Sequence, residues 1–457
     1  MFRNRDILPL LHSGFRTGRS ISNNLKGVAS VNKTKIAING FGRIGRNAFK
    51  IAFERPDLEI VAVNDLTDTK TLAHLLKHDS NYGEYHRKVS FDDQNLIVED
   101  QKIKVLAEKD PAALPWKDLG VDIVIESTGL FVDPEKARVH IKAGAKKVII
   151  SAPAKGDGSA TVVLGVNEEA IEEAGEIINN GSCTTNCVAP VMAVLEENFG
   201  IEKAMMTTIH SYTASQRLLD APAKDLREAR NAASNIVPTT TGASISVAQA
   251  LPAVEGIFEG LSIRVPTPVV SLIDMAVLIK KDTTVDEVNE VFKKAAAEPY
   301  FQGILAVSEE PLVSTDYIGN SHSAIVDLSL THVVTGNFVK VVAWYDNEWG
   351  YCNRLVELTA DVARQLPKTE PLELSSNLPS TPTLPTDKDQ PLPEEPLLEV
   401  PHDSLLEEPK EDKPPSPENP PVSPEETTLI PKQQPAVPKP SDDPFGSGKN
   451  IDGIHRF

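Results

Sequence analysis

The feature that most constrains the fold is an apolar strand that runs directly into a glycine-rich turn and a helix. The stretch TKIAIN (34–39) is followed by GFGRIG, in which Gly40, Gly42 and Gly45 have the spacing G-x-G-x-x-G. A second apolar strand ends at Asp65, twenty residues after Gly45. A strand, this glycine spacing, a helix and an acid at this distance together predict a dinucleotide-binding unit.

Each of these residues has a physical role in such a unit. Gly40 permits a tight turn, Gly42 lets a pyrophosphate approach the backbone, and Gly45 lets the helix pack closely on the strand. The helix N-terminus offers unpaired N–H groups to the anion. Asp65 would accept hydrogen bonds from a ribose and repel a 2′-phosphate, so NAD is predicted in preference to NADP.

Strands and helices alternate through the first half of the chain and then change character after about residue 180. The β-branched runs at 121–129 and 146–153 flank a helical stretch, whereas longer strands follow at 260–281 and 337–346, before an amphipathic helix at 353–366. The predicted fold class is α/β. It comprises a doubly wound, mostly parallel NAD-binding sheet and an α+β catalytic domain.

Four segments are predicted. They are an N-terminal extension (1–32), an NAD-binding domain (33–181, completed by a helix at 347–366), a catalytic domain (182–346) and a C-terminal tail (367–457).

The tail differs from the rest of the chain in composition. It holds 21 of the 35 prolines, with 18 acidic and 8 basic residues. Such a segment cannot bury enough apolar surface to offset its chain entropy, so it is predicted to be disordered. The tail carries −10 of the formal net charge of −19, which leaves −9 for the body. An acidic body is poorly suited to phosphate backbones, so nucleic acid is not predicted as the main partner.

The N-terminus and the hydropathy bear on location. Residues 1–27 contain four arginines, several serines and one acid. This composition is typical of a transit peptide, although a plain N-terminal extension can have the same composition. No run approaches the roughly 18 apolar residues that a membrane span requires. A cytoplasmic location is predicted, with a mitochondrion or another organelle as the alternative.

Two of the three cysteines stand in NGSCTTNC, four positions apart. A disulfide, a metal site or one reactive thiol could explain them. Positions i and i+4 of a helix are too far apart for a disulfide, and no other ligands with metal spacing stand nearby, so no metal is predicted. Cys183 follows a turn and begins a helix, where the dipole favours a thiolate, whereas Cys187 is predicted to pack in the core.

Two further residues fit a reactive thiol. His210 ends an apolar strand in MMTTIHSYT and could stabilise the thiolate as an ion pair and move protons, although such a histidine alone is more often a core residue. Arg264, in RVPTP, lies inside an apolar strand and needs an anionic partner.

The motifs SCTTNC, TTIHSYT, PTTTG, RVPTP and WYDNEWGY, in this order after NGFGRIG, resemble the phosphorylating glyceraldehyde-3-phosphate dehydrogenases. The resemblance covers about Lys33 to Leu366. It implies NAD-dependent, phosphorylating oxidation of glyceraldehyde 3-phosphate to 1,3-bisphosphoglycerate in glycolysis and gluconeogenesis. Cys183 would form the thioester and His210 would act as the base. Inorganic phosphate would be the second substrate, and a homotetramer is expected by analogy.

The resemblance also implies a set of binding residues. Those expected to hold the two phosphates are Ser182, Thr184, Thr213, Arg227, Thr241, Gly242 and Arg264. Those expected at the cofactor are Asn39, Gly40, Gly42, Arg43, Ile44, Gly45, Asp65, Lys109, Ser151 and Asn347.

Two alternatives stay open at this point. An erythrose-4-phosphate dehydrogenase would use the same thiol but hydrolyse the thioester, whereas Thr241 and Gly242 fit a second anion site better. A non-catalytic adaptor would recruit partners through polyproline segments of the tail such as PPSPENPP.

Overall fold

The computed structural model describes residues 33–367. The predicted N-terminal extension and the predicted disordered tail, with its adaptor role, lie outside the described residues. Within the described part, no helix is long and apolar enough to cross a membrane.

The α-helices have the following bounds: α1 (Arg43–Phe53), α2 (Thr69–Lys77), α3 (Trp116–Leu119), α4 (Pro134–Ala137), α5 (Val139–Lys142), α6 (Ala170–Glu173), α7 (Cys183–Phe199), α8 (Ala243–Ala250), α9 (Val285–Ala297) and α10 (Trp349–Gln365).

The strands of the first half are β1 (Thr34–Asn39), β2 (Leu58–Asn64), β3 (His78–Asp79), β4 (Gly83–Glu84), β5 (Val89–Phe91), β6 (Asn95–Val98), β7 (Gln101–Leu106), β8 (Ile123–Glu126), β9 (Lys147–Ile150), β10 (Ala160–Thr161) and β11 (Ile177–Asn179). Those of the second half are β12 (Ile201–Ser211), β13 (Val237–Thr240), β14 (Phe258–Val265), β15 (Ser271–Ile279), β16 (Leu305–Ser308), β17 (Ala324–Asp327), β18 (His332–Val334) and β19 (Phe338–Tyr345).

The first sheet has the order β10-β11-β9-β8-β1-β2-β7-β6-β5. Its pairs from β10 to β7 are parallel, and β5 and β6 add an antiparallel edge. The strand order reverses at β1, where β2 lies on one side and β8 on the other. The parallel pairs and this reversal confirm the predicted doubly wound sheet. Ligands bind such sheets beyond the carboxyl ends of the strands at the reversal.

The second sheet has the order β13-β14-β12-β15-β19-β17-β16 and is mixed, because β12 pairs with β14 in parallel and with β15 in antiparallel fashion. One face of this sheet is covered by α7 and α9, which share a core cluster with it, so this half has the α+β character that was predicted.

Helix α10 returns from the second sheet to the first. Tyr351, Cys352, Leu355 and Val356 belong to the same core cluster as the apolar residues of β1 and α1. The thiol of Cys352 also donates to the carbonyl of Ile44, 3.5 Å away. The last helix therefore packs against the first sheet and α1.

Two predicted elements are divided in the structure. The helical stretch after residue 133 forms α4 and α5, which meet at Arg138. The predicted strand at 260–281 forms two strands, β14 and β15, and Val270 between them has a φ of 71°. The segment PTPVV turns the chain because proline cannot donate to a sheet ladder.

Candidate active site

Cys183 is the first residue of α7, and the preceding turn fixes its position. The hydroxyl of Ser182 caps the helix by accepting from the N–H of Thr185 at 3.0 Å. The side chain of Asn186 donates to the carbonyl of Asn180 at 2.7 Å and so holds the turn from inside. All three cysteines, Cys183, Cys187 and Cys352, are free thiols.

His210 brings a ring nitrogen to this thiol. It lies near the end of β12, and its Nε2 atom is 3.4 Å from the Sγ atom of Cys183. Its Nδ1 atom is 2.7 Å from the carbonyl oxygen of Ser211, a contact that fits a proton on Nδ1. Nε2 is then free to accept a proton from sulfur.

Arg264 lies on β14 directly beside His210 in the parallel register. Its guanidinium is 2.6 Å from Nδ1 of His210 and donates to the carbonyl of Ser211 at 3.2 Å. The Nδ1 atom can accept from Arg264 or donate to Ser211, but one tautomer cannot do both. An anion in front of Arg264 would offer it a better partner than the imidazole.

The pKa values of the pair follow from burial and from Arg264. Burial and the charge of Arg264 lower the pKa of His210 to about 3. Burial raises the pKa of the Cys183 thiol, while the charge of Arg264 and hydrogen bonds from Thr184 oppose the rise. The depressed thiol pKa that was predicted from the helix N-terminus is therefore wrong, because burial raises the pKa of Cys183. The predicted ion pair with His210 is wrong as well, because the pKa of His210 is lowered to about 3. A neutral thiol faces a neutral imidazole that can accept its proton.

The thiol opens into a cavity of about 250 Å³, called the thiol cavity below. It is lined by Pro153, Ser182, Cys183, Thr184, His210, Thr213, Thr240, Thr241, Gly242, Ala243, Ser262 and Arg264. The N-terminus of α8, at Gly242, has no side-chain cap. The Nε atom of Arg264 and the hydroxyl of Ser262 are buried without a hydrogen-bond partner, and no carboxylate of residues 33–367 pairs with Arg264.

The carboxyl ends of β1, β2 and β8 form a second candidate site, called the nucleotide edge below. Gly40 has a φ of 91°, and a Cβ atom there would lie 2.7 Å from the N atom of Thr128. A Cβ on Gly45 would lie 2.1 Å from the carbonyl oxygen of Gly40, whereas Gly42 faces open space. No side chain caps α1, so its first N–H groups are free for an anion.

Asp65 lies against this turn. Its carboxylate accepts from the N–H of Phe41 at 2.9 Å and from that of Thr67 at 3.1 Å. An ionised carboxylate has about four acceptor positions, so capacity remains for ribose hydroxyls. The turn, the uncapped helix and the carboxylate together fit a dinucleotide.

Comparison with known proteins agrees with both sites. Residues 34–134 match the family model described as the NAD binding domain of glyceraldehyde 3-phosphate dehydrogenase, and residues 182–347 match the model of its C-terminal domain. The chain is 56% identical over 330 residues to the glyceraldehyde-3-phosphate dehydrogenase of Geobacillus stearothermophilus, covering 72% of this chain and 98% of that protein. The Thermotoga maritima enzyme is 56% identical over 325 residues, covering 71% of this chain and 97% of that protein.

The chain belongs to the glyceraldehyde-3-phosphate dehydrogenase family. Its cofactor is NAD, because the matched N-terminal domain is the NAD-binding one and the nucleotide edge has the groups that a dinucleotide needs. The predicted residues Asn39, Ile44 and Ser151 lie on or beside this edge, at the end of β1, in α1 and just after β9.

Two predicted cofactor-binding residues, Arg43 and Asn347, have side chains that bond to other residues of the protein. Arg43 is held by Glu348 and by Asp79, whose hydrogen bonds and charges outweigh burial and keep its pKa above the usual value. Its side chain is therefore engaged within the protein, and its backbone N–H, at the start of α1, is the group left for an anion. The amide oxygen of Asn347 accepts from Ser271 at 3.0 Å, which fixes the orientation of that side chain.

Two other predicted residues, Arg227 and Lys109, are exposed, whereas Thr184 and Thr213 line the thiol cavity and their hydroxyls bond to neighbouring side chains. Arg227 is exposed and is not among the residues that line the thiol cavity. Lys109 is exposed in the loop after β7. The hydroxyl of Thr184 bonds to that of Tyr345 at 3.0 Å, while that of Thr213 bonds to Ser215 at 3.0 Å.

Tyr345 is a site residue that the sequence analysis did not single out. Its hydroxyl joins Thr184 to Thr208, and its ring meets the ring of His210 edge-on, with centroids 6.0 Å apart. Tyr345 therefore contacts both Thr184, the residue after Cys183, and the imidazole of His210. The motif WYDNEWGY contained it, but only the fold of the sheet, in which β15 separates β12 from β19, brings its hydroxyl to Thr208.

Proposed function

We propose that this protein catalyses the NAD-dependent, phosphorylating oxidation of glyceraldehyde 3-phosphate to 1,3-bisphosphoglycerate through a thioester on Cys183. The observation that carries the proposal is the thiol–imidazole contact of 3.4 Å beside a cavity lined by Arg264, whose Nε atom is buried without a hydrogen-bond partner and which pairs with no carboxylate of residues 33–367. The family membership supports the same reaction.

His210 moves the protons in this scheme. Its Nε2 atom accepts the thiol proton as sulfur bonds to the aldehyde carbon, and returns it to the carbonyl oxygen to give a hemithioacetal. When bound, NAD supplies the hydride acceptor that the oxidation requires. His210 accepts the hydroxyl proton in that step, which leaves a thioester. The backbone N–H of Cys183 and the His210 ring would stabilise the oxyanion.

The thiol cavity would bind the two phosphates. Arg264 offers a forked guanidinium, and the uncapped start of α8 at Gly242 offers N–H groups. Thr213 and Thr241 contribute hydroxyls at the cavity wall. Attack of inorganic phosphate on the thioester carbonyl releases the Cys183 thiolate and forms the acyl phosphate.

The test is NAD reduction with glyceraldehyde 3-phosphate, with and without phosphate or arsenate. Continuous turnover is expected only when one of these anions is present. Phosphate-independent turnover would instead favour thioester hydrolysis, as in an erythrose-4-phosphate dehydrogenase. A higher kcat/KM with NADP than with NAD would contradict the role of Asp65.

We also propose the domain division 33–181 with 347–366 for NAD binding and 182–346 for catalysis. The two sheets and the return of α10 to the first one support it. Limited proteolysis with and without NAD tests it, and we expect NAD to protect sites on both 33–181 and 347–366.

A homotetramer is proposed as the assembly. Large apolar side chains are exposed on the second sheet, on the loop that follows β12 and on α8, and a further copy of the chain could cover them. They are Met205, Leu218, Leu219, Leu226, Ile236, Ile245 and Leu261. Light scattering during gel filtration is expected to give four chains, and a monomer would contradict the proposal.

A cytoplasmic location is proposed from the kind of reaction, and an organelle remains the competing outcome. Fractionation of the source cells with an antibody to the body of the protein decides between the two.

A further inference from the structure

A continuous chain of buried polar side chains lies beneath the nucleotide edge. The indole of Trp116 donates to Nδ1 of His140 at 3.0 Å, and Nε2 of His140 is 3.0 Å from a carboxylate oxygen of Glu126. The same oxygen accepts from the amide of Asn39 at 2.6 Å, and Asn39 accepts from Asn64 at 2.7 Å. All five side chains are 5% exposed or less, and the chemistry proposed above uses none of these contacts.

Every bond of this network has one possible direction. An indole can only donate, so Nδ1 of His140 carries no proton and Nε2–H donates to Glu126. At the other end, Asn64 donates to the carbonyl of Glu108 and accepts from its N–H, both at 2.9 Å. That clamp fixes the amide of Asn64, and Asn64 in turn makes Asn39 donate to Glu126.

Glu126 is the common acceptor. One oxygen accepts from Asn39 and His140, and the other accepts from both the N–H, at 2.8 Å, and the hydroxyl of Thr128. Four donors fill the four acceptor positions of an ionised carboxylate. Glu126 therefore accepts from Asn39, His140 and Thr128 with no arginine or lysine among these donors.

Both ends of the network contact the nucleotide edge. Thr128 abuts Gly40, and Ser127 donates to the carbonyl of Gly40 at 2.7 Å. At the other end, Asn64, which directly precedes Asp65 in the chain, bonds to the backbone of Glu108. The glycine turn and the ribose acid are therefore positioned by one connected set of hydrogen bonds.

We propose that Glu126 and His140 are positioning residues for the dinucleotide, acting through Thr128 and Asn39 without touching it. The proposal rests on NAD binding as stated above. The conformation of the turn around Gly40, and with it the affinity for NAD, depends on Glu126 accepting from all four donors.

The test uses Glu126→Gln and a second substitution that relieves its defect. If the Gln oxygen stays with Thr128, its NH2 group faces two donors, Asn39 and His140. The His140 ring could accept only by moving its proton to Nδ1, which Trp116 prevents. Trp116→Phe removes that obstacle, so the double variant can form a bond that Glu126→Gln alone cannot.

We expect Glu126→Gln to weaken NAD binding at least about tenfold, measured by fluorescence titration and as KM for NAD. The kcat at saturating NAD and the alkylation rate of Cys183 should change less than about twofold. The variant E126Q/W116F should recover part of the lost affinity, although Trp116→Phe alone weakens binding. Unchanged NAD affinity in Glu126→Gln, or a double variant no better than E126Q, would overturn the proposal.

Two controls keep the outcome decisive. If Glu126→Gln does not fold, Thr128→Val removes one of the four donors while keeping the side-chain shape, and it should weaken NAD binding about threefold with kcat unchanged. If it does not, the network does not position the cofactor. Wild type that fails to bind NAD would overturn the proposed function itself, which is a distinguishable result.

Discussion

The nucleotide edge and the thiol cavity differ in how their buried polar groups are satisfied. At the nucleotide edge, Asn39, Glu126 and His140 use their polar atoms on one another, so that surface is formed by the chain itself. At the thiol cavity, the Nε atom of Arg264 and the hydroxyl of Ser262 are buried without partners. Buried polar groups without partners are costly. The network beneath the nucleotide edge is therefore satisfied by the chain itself, whereas Arg264 and Ser262 keep polar atoms that an anion in the thiol cavity could use.

The largest effect is expected at the thiol. Cys183→Ser should lower kcat by about 10⁴-fold or more, because a hydroxyl is a poor nucleophile and cannot form the thioester. The matched control is Cys187→Ala, one helical turn away and fully buried. It should retain activity within about threefold. Steady-state NADH production measures both, and substantial activity in Cys183→Ser would remove the thiol from the mechanism.

The next effect tests Arg264, whose Nε atom is buried without a hydrogen-bond partner. Arg264→Gln should lower kcat/KM for glyceraldehyde 3-phosphate by about 10²- to 10³-fold, since charged hydrogen bonds contribute roughly 1.5–3 kcal/mol each. Arg230→Gln is the control, because Arg230 is exposed and already paired with Asp220. Equal losses in the two variants would mean that Arg264 has no special role with the anion.

The third prediction concerns Asp65 at the nucleotide edge. Asp65→Ala should weaken NAD binding by about 10-fold and improve NADP relative to NAD, because a hydrogen-bond acceptor and a negative charge are lost together. Asp68→Asn is the control, since Asp68 caps α2 and asparagine caps equally well. An unchanged NADP to NAD ratio in Asp65→Ala would argue against the ribose contact.

The smallest effect is a shift in pH dependence. The charge of Arg264 lowers the pKa of Cys183, against the rise that burial causes. Arg264→Gln should therefore raise the thiol pKa, and the midpoint of Cys183 alkylation by iodoacetamide should move to higher pH. A midpoint that moves to lower pH in this variant would contradict the assigned sign of the interaction.

The sequence predicted the local patterns of both sites but not the contacts that depend on how the strands pair. The glycine turn with Asp65, and the thiol at a helix start, are local patterns. Gly40 was therefore predicted from the glycine spacing, and Cys183 from its place after a turn and at the start of a helix. His210 and Arg264 were found separately, but only the parallel register of β12 and β14 brings them side by side. Burial, together with the charge of Arg264, lowers the pKa of His210, an effect that no sequence spacing reports.

The network beneath the nucleotide edge was not predictable in this way. Trp116, Glu126 and His140 belong to three elements, and their spacing matches no recognised motif. Each would be interpreted alone as an ordinary core or strand-end residue. Only the register of β1 with β8, which pairs Asn39 with Glu126, brings the donors to one carboxylate.

The most direct test of the central claim is a single-turnover measurement with glyceraldehyde 3-phosphate and NAD, first without phosphate and then with it. A covalent thioester predicts a burst of NADH equal to the concentration of Cys183 without phosphate, and an acylated Cys183 peptide in the mass spectrum. Phosphate should then start steady turnover and remove the adduct. Steady NADH formation without a burst or an adduct would contradict the thioester mechanism.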